Sequence, residues 1–257
     1  MRIMVCVKRV PASGGAPQLT EDGRGIDTRH LSFTVGPHEE CAIEEAVQLV
    51  ERFGGSVTVL TVGPAEAEEQ LRFAISLGAD HGILVEAGPD EVDPQATAFA
   101  LTEAIRDGEA ASGAPFDLIM FGNESPDAGH YQVGVRVACA LGRPIVGGVK
   151  GIDVDPDAGR VRFRRDTPGG AEVFEAALPA AVAVREGLNL PRYPSMRGRL
   201  RARKAEITEL RPHVPAGGLR RIRLRVPEQQ RPETVVLGHG ASAAPAVVDL
   251  LEELEVV

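Results

Sequence analysis

The sequence predicts an α/β protein built on a mainly parallel sheet with helices on both faces. Two observations carry this. Through residues 2–141, short apolar runs rich in β-branched residues alternate with amphipathic stretches of helical period, the grammar of repeated βαβ crossovers. The first run, RIMVCVKRV at residues 2–10, is apolar on both sides of the pleat, as a strand covered on both faces must be.

Taken in order, strand 2–10 leads into the turn-rich stretch PASGGAPQLTEDGRGIDT, where Glu21-Asp22-Gly23 suits a short hairpin. PHEECAIEEAVQLVERFGG reads as a helix, with Ala42, Ala46, Leu49, Val50 and Phe53 on one face. Pro37 suits its first position and Gly54 its stop. A strand at 56–62, a helix at 65–77, a strand at 81–86, a helix at 94–106, a strand at 117–121 and a helix at about 132–141 follow. After Pro144 the pattern changes to short strand-like runs, PIVGGVKGIDV, GRVRFRRD, AEVFEAAL and AAVAVRE, expected as antiparallel additions to the sheet. LNLPRYPSMRGRLRARKAEI is rich in arginine with little apolar period and is expected to be an exposed loop. RIRLRV reads as a further short strand, and SAAPAVVDLLEELEVV as an amphipathic helix with Val247, Val248, Leu251 and Leu254 on one stripe. Residues 1–206 are expected to form the α/β domain. Residues 207–257 are too thin for a core of their own and are expected to wrap a partner.

The 257 residues suffice for one large α/β domain with an extension. A net charge of -9 argues against nucleic acid, which needs a basic face, but not against a small anion held by backbone N–H groups. The three widely spaced cysteines, Cys6, Cys41 and Cys139, form neither a disulfide framework nor a zinc pattern. Reduced thiols and a first strand that begins at Arg2 give the expectation of a cytoplasmic protein without a leader. No run approaches membrane-spanning length.

The candidate chemistry lies in FGNESPDAGHYQVG, residues 121–134, between a strand and a helix start. Such junctions hold anions. No lysine follows the glycines, so it is not a P-loop. Gly129 and Gly134 permit close backbone approach; Asn123, Ser125, Asp127 and Gln132 could bond a ribose or orient the loop. The helix at Pro37 already carries Glu39 and Glu40 in its first turn, so the helix start near Gln132 is the better phosphate site. The stretch also suits an ordinary polar loop with Asp127 as a cap. Ser13-Gly14-Gly15 matches the start of an SGGxDS pyrophosphatase loop but continues Ala16-Pro17, which reads as a turn. Cys6 suits a nucleophile less well than a buried structural thiol. His38 and His130 lie in the candidate loops. Met196, within the arginine-rich segment, suits an exposed apolar contact for a partner.

VCVKRV (residues 5–10), AIEEAVQLVE (42–51), TVGPAEAEEQLRFAISLGADHGILVE (61–86), the loop 123–134, LNLPRY (188–193) and RRDTPGGAEVFEAALPAAVAV (164–184) together resemble the beta subunit of electron transfer flavoprotein. The resemblance runs over about residues 1–207 and is that of a divergent member. It implies an adenine-nucleotide α-hydrolase-like fold. It also implies a heterodimer with an alpha subunit that holds most of the FAD, and a structural AMP in this chain. The family's nucleotide contacts would fall on Cys6, Gly36, Pro37, His38, Glu39, Val62, Asn123, Glu124, Ser125, Pro126, Asp127, Ala128, Gly129, His130, Tyr131, Gln132, Val133 and Gly134. The recognition loop for a flavin dehydrogenase would contain Pro191, Arg192, Tyr193, Met196, Arg197, Arg199 and Arg201, with Met196 as the apolar contact. Asp166 would face the mobile flavin domain. The chain departs from the family at Gly36, where asparagine is usual, at Val133, where threonine is usual, and at Pro168, where an acid is usual.

The function so implied is electron carriage from a flavin dehydrogenase towards a quinone-linked oxidoreductase, by a carrier subunit without membrane insertion. Two other readings stay open: a bifurcating flavoprotein with FAD at the AMP position and NADH as donor, and a stand-alone adenine-nucleotide sensor or hydrolase.

Overall fold

The computed structural model describes residues 1–12, 18–88, 93–212, 218–227 and 234–256. The Ser13-Gly14-Gly15 turn lies outside the described residues. Strand β1 (Arg2–Cys6) is shorter than the apolar run that announces it. The chain then leaves the sheet, and β2 (Val10–Pro11) pairs antiparallel with β3 (Phe33–Thr34). Between them Gly23, at φ 64°, turns the chain so that Leu19 bridges Ile26.

The expected alternation follows element by element. Helix α1 (Pro37–Phe53) has its proline at the first turn and Gly54 past its end. β4 (Ser56–Gly63), α2 (Glu68–Leu77), β5 (His81–Glu86), α3 (Pro94–Ser112), β6 (Leu118–Gly122) and α4 (Val133–Ala140) complete the regular part. The Asp93 carboxylate accepts from the Gln95 N–H at 2.8 Å and caps α3, which outruns the expected 94–106 to reach Ser112.

β7 (Ile145–Asp155), β8 (Arg160–Thr167), β9 (Gly170–Ala177) and β10 (Ala180–Val184) form the second half. Only part of it is antiparallel. β7, β8 and β9 make a meander, but β10 inserts between β6 and β7, parallel to both. All five β10 residues, AAVAV, are buried, so this run carries the pattern of a central parallel strand.

Three further features differ from the expectations. The arginine-rich segment contains helix α5 (Met196–Lys204), capped by the Ser195 hydroxyl accepting from the Gly198 N–H at 3.0 Å. The sheet also continues past residue 206: β11 (Ile207–Leu210) pairs parallel with β5. RIRLRV is not a strand; Leu224 donates its N–H to Gly23 O at 2.7 Å, laying this stretch against the first hairpin. The chain ends in α6 (Ala244–Glu253), none of whose residues is buried.

The nine-stranded order is β11-β5-β4-β1-β6-β10-β7-β8-β9. Ile3 and Val5 of β1 face one apolar cluster with Ala42, Ile43 and Leu71 of α1 and α2. Met4 and Cys6 face another with Leu101, Ile105 and Val137 of α3 and α4. Helices therefore cover both faces, and the even–odd alternation of β1 sorts its side chains between two cores.

α5 is fixed on α2 by polar contacts. Arg201 donates to Ile75 O (2.6 Å) and Ala79 O (3.2 Å), while Arg72 donates to Ala202 O and to Ala205 O (3.2 Å). Each helix thus caps the other's C-terminal carbonyls with an arginine. Gly198 makes the approach possible, since a Cβ there would lie 2.1 Å from Ser76 O. Gly198→Val is expected to force the helices apart and cost about 1–3 kcal/mol, read as a lower urea midpoint; an unchanged midpoint would show that α5 does not depend on this contact.

Candidate functional site

The crossovers from β1 through α1 to β4 and from β5 through α3 to β6 leave on opposite faces, so the order reverses between β1 and β6. At that reversal the C-terminal ends of neighbouring strands open a crevice, where α/β sheets bind ligands. The register is level: Cys6 pairs with both Leu60 and Phe121. The residues expected to form a nucleotide site converge here. Cys6 ends β1 and Val62 lies one residue from the end of β4. Gly36, Pro37, His38 and Glu39 open α1. Asn123 to Gln132 run from β6 to α4, which begins with Val133 and Gly134.

Glycines allow these parts to touch. A Cβ on Gly122 would lie 2.6 Å from Glu39 Cγ, one on Gly36 3.2 Å from Pro126 Cδ, and one on Gly134 3.1 Å from Phe121 Cγ. Gly36 is therefore more than a missing asparagine: Pro126 of the loop rests against it.

Most of the loop's polar side chains hold the loop itself. Asn123, 5% exposed, accepts from the Gly148 N–H at 2.7 Å and donates to the Tyr131 hydroxyl. It thereby ties β6 to the bulge in β7 and to Tyr131, which sits at φ 62°. Asp127 receives Lys8 Nζ at 2.9 and 2.7 Å and caps the Ala128 N–H at 2.8 Å. Gln132 Oε1 accepts from Arg136 at 3.1 and 3.0 Å. Gly129, at φ 56°, completes the turn, with Glu124, Ser125, Ala128 and His130 along its rim.

The helix starts differ in what they leave open. At α1, Glu39 accepts from the Gly36 N–H at 3.1 Å, and Glu40 adds a second acid. At α4 no side chain caps the start and no acid lies in the first turn. Its leading N–H groups carry the partial positive charge that suits a phosphate oxygen. His38 Nδ1 is a second open group, buried and without a hydrogen-bond partner among the described residues. Burial holds that imidazole below its ordinary pKa. The backbone of α4 and this orphaned nitrogen are compatible with a nucleotide, with phosphate at α4. Cys6 does not suit a nucleophile: burial pushes its thiol up, and the neighbouring Glu39 charge pushes it further.

The expected recognition residues divide. Arg192 is committed within the chain: its guanidinium grips Glu44 at 2.8 and 3.0 Å and Glu51 at 2.6 and 2.9 Å. Asn189 donates to Cys41 O and to Glu45, both at 3.0 Å, so residues 189–192 are stitched along α1. Arg201 is the helix cap described above. Tyr193, Met196, Arg197 and Arg199 remain exposed, with Pro191 half-buried. Asp166, on β8, pairs with Arg164 at 2.5 Å. Sequence reasoning missed Lys8, Gly122, Gly148, Glu44 and Glu51. Lys8, set just past an apolar strand that ends in the crevice, was the one with a readable position. Among the described residues no group of three or more His, Cys, Asp or Glu could hold a metal, and no helix is long and apolar enough to cross a membrane.

Glu39 gives the site a testable electrostatic signature. Burial raises its carboxyl from 4.5 to about 8, against the opposing N–H groups of Gly36 and Lys8. The folded chain therefore keeps a proton that the unfolded chain releases, and stability falls as pH rises from about 4.5 to about 8. Glu39→Gln is expected to flatten that fall and to exceed the parent at pH 9 by up to about 5 kcal/mol. Urea unfolding at pH 5 and pH 9 checks this, and parallel profiles for the two chains would refute it.

Comparison with known proteins places the chain in a family. The electron transfer flavoprotein domain family matches residues 25–215. The electron transfer flavoprotein subunit beta of Bacillus subtilis is 38% identical over 181 residues, covering 69% of this chain and 67% of its own. That of Mycobacterium leprae is 36% identical over 214 residues, covering 81% and 78%. Protein FixA of Azotobacter vinelandii is 34% identical over 212 residues, covering 80% and 73%. The matched span runs from the first hairpin through every later strand of the sheet, and on that ground the chain belongs to the electron transfer flavoprotein beta-subunit family, a family of electron carrier subunits.

Proposed function

We propose that this chain is the beta half of a heterodimeric electron transfer flavoprotein that carries electrons from a flavin dehydrogenase towards a quinone-linked oxidoreductase. The single observation that supports the site most directly is the uncapped, acid-free start of α4, at the strand-order reversal and inside the family-matched span. In this reading AMP is a structural ligand, with its phosphate on the α4 backbone and the loop from Asn123 to Gln132 closed around it. FAD, held mainly by the alpha subunit, supplies the redox chemistry when bound. This chain's residues position and enclose. Lys8 and Asp127 hold the loop against β1, Asn123 fixes it to β7, and Arg192 sets the start of the recognition segment on α1.

The expected cofactor content of the complex co-purified with its alpha subunit is one FAD and one AMP, measured by chromatography after denaturation. Two FAD and no AMP would select the bifurcating reading instead. One FAD alone would show that Gly36 and Val133 mark a lost nucleotide site.

The tail after β11 acts, in the same reading, as an arm around the alpha subunit. α6 buries none of its residues, and Val247, Val248 and Leu254 are exposed. Removing residues 242–257 takes nothing from either core and is expected to weaken assembly with the alpha subunit while leaving the sheet's unfolding transition in place. Undiminished co-purification would rule the arm out.

A further inference from the structure

Between α2, α5 and Pro194 runs a shallow groove of about 430 Å³. Phe73 and Pro194 contribute apolar lining, while Arg199 and Arg203 contribute charge. Arg199 and Arg203 stand four residues apart on α5, hence on one face. Met196, 73% exposed, lies one turn before them on the same stripe. The other arginines near the groove are already committed: Arg72 pairs with Glu68 at 2.5 Å, and Arg201 caps α2. Arg199 and Arg203 have no ion-pair partner among the described residues, and α5 contains no acid to compensate them.

The helix is thus locally cationic in a chain of net charge -9. On β8 and β9, by contrast, exposed arginines are matched by acids: Arg160 and Arg162 share Glu175, and Arg165 meets Glu172. On α5 the cations Arg197, Arg199, Arg203 and Lys204 are left open. The helix carrying them is held in place by the reciprocal arginine caps and by Gly198. A guanidinium is suited to a carboxylate, which it can meet with two parallel hydrogen bonds.

We propose that the α2–α5 groove is a carboxylate-binding subsite of the docking surface, taking an acidic side chain of the protein partner on Arg199 and Arg203 while Met196 enters an apolar pocket beside it. The inference rests on the docking reading given above for the Met196 segment. It adds the partner's chemistry: an apolar pocket flanked by aspartate or glutamate, drawn to an open cationic helix on an acidic protein.

The test uses the heterodimer and a fluorescein-labelled peptide of alternating glutamate and leucine, with a glutamine–leucine peptide as control, read by anisotropy. The glutamate peptide is expected to bind at least tenfold more tightly than the control, and to lose that advantage in Arg199→Glu/Arg203→Glu or in 0.5 M salt. Arg199→Lys/Arg203→Lys should retain part of it. Equal binding of the two peptides, or a charge reversal without effect, would overturn the proposal. The variants are exposed, so an unchanged melting curve separates docking from folding. Met196→Ala distinguishes the two levels. If it leaves electron acceptance from a flavin dehydrogenase unchanged while the charge reversal still abolishes peptide binding, the groove stands as a carboxylate site and the docking reading falls. If it slows acceptance while the reversal does nothing, the docking reading stands and the groove proposal fails.

Discussion

A parallel sheet that grows outward from its first strand in both directions has one place where neighbouring crossovers leave on opposite faces. In this chain that place lies between β1 and β6, and the candidate site depends on it. The reversal parts the loops after β1 and β6, so backbone and side chains can line a crevice instead of packing shut. It sets α1 on one side of the crevice and the loop leading to α4 on the other. The glycines at 36, 122 and 134 follow from this constraint: at Gly122 the parts approach closer than a Cβ allows, and at Gly36 and Gly134 a Cβ would be tightly crowded.

α1 shows how position alone assigns different chemistry to one residue type. Glu39 and Glu44 are both nearly inaccessible, at 6% and 3% exposed. Burial raises the first to about 8, because backbone N–H groups do not offset the lost water. Burial would raise the second as well, but the Arg192 hydrogen bonds outweigh it and hold the carboxyl below its ordinary range. An ion pair of this kind is costly to break from one side, since the surviving charge is left in a poor solvent. One helix therefore carries a proton-holding acid at its crevice end and an ionised clamp along its side.

The regular half of the fold was legible because its signals are periodic: β1, α1, β4, α2, β5, α3 and β6 each bury a defined face. β10 was legible in composition but not in topology. Its five apolar residues mark a strand covered on both sides, yet nothing local says that it inserts between β6 and β7. α5 was hidden because it buries only Ala202 and meets α2 through Gly198. It therefore has no apolar stripe, and its stability comes from Ser195, from arginine caps and from cations in its last turn. At the site, the loop's place between a strand and a helix start could be read, but the employment of its side chains could not. Asn123, Asp127 and Gln132 suit a ligand on paper, and long-range partners engage two of them: Gly148 is 25 residues from Asn123, and Lys8 is 119 from Asp127. The internal clamp of Arg192 was hidden for the same reason, its carboxylates lying 148 and 141 residues away.

α6 has a thermodynamic consequence. Ten residues are fewer than the roughly 12–15 at which an isolated helix becomes even marginally stable in water, and none of the α6 residues is buried by the chain that carries it. In the proposed arm, its order comes from the surface of the alpha subunit. Association through it is then folding and binding in one step, with part of the contact energy consumed in ordering the segment. Such a joint leaves a larger drop in heat capacity than rigid docking of the same area. It also makes the affinity of the two subunits responsive to changes in α6 helix propensity that touch no contact at all.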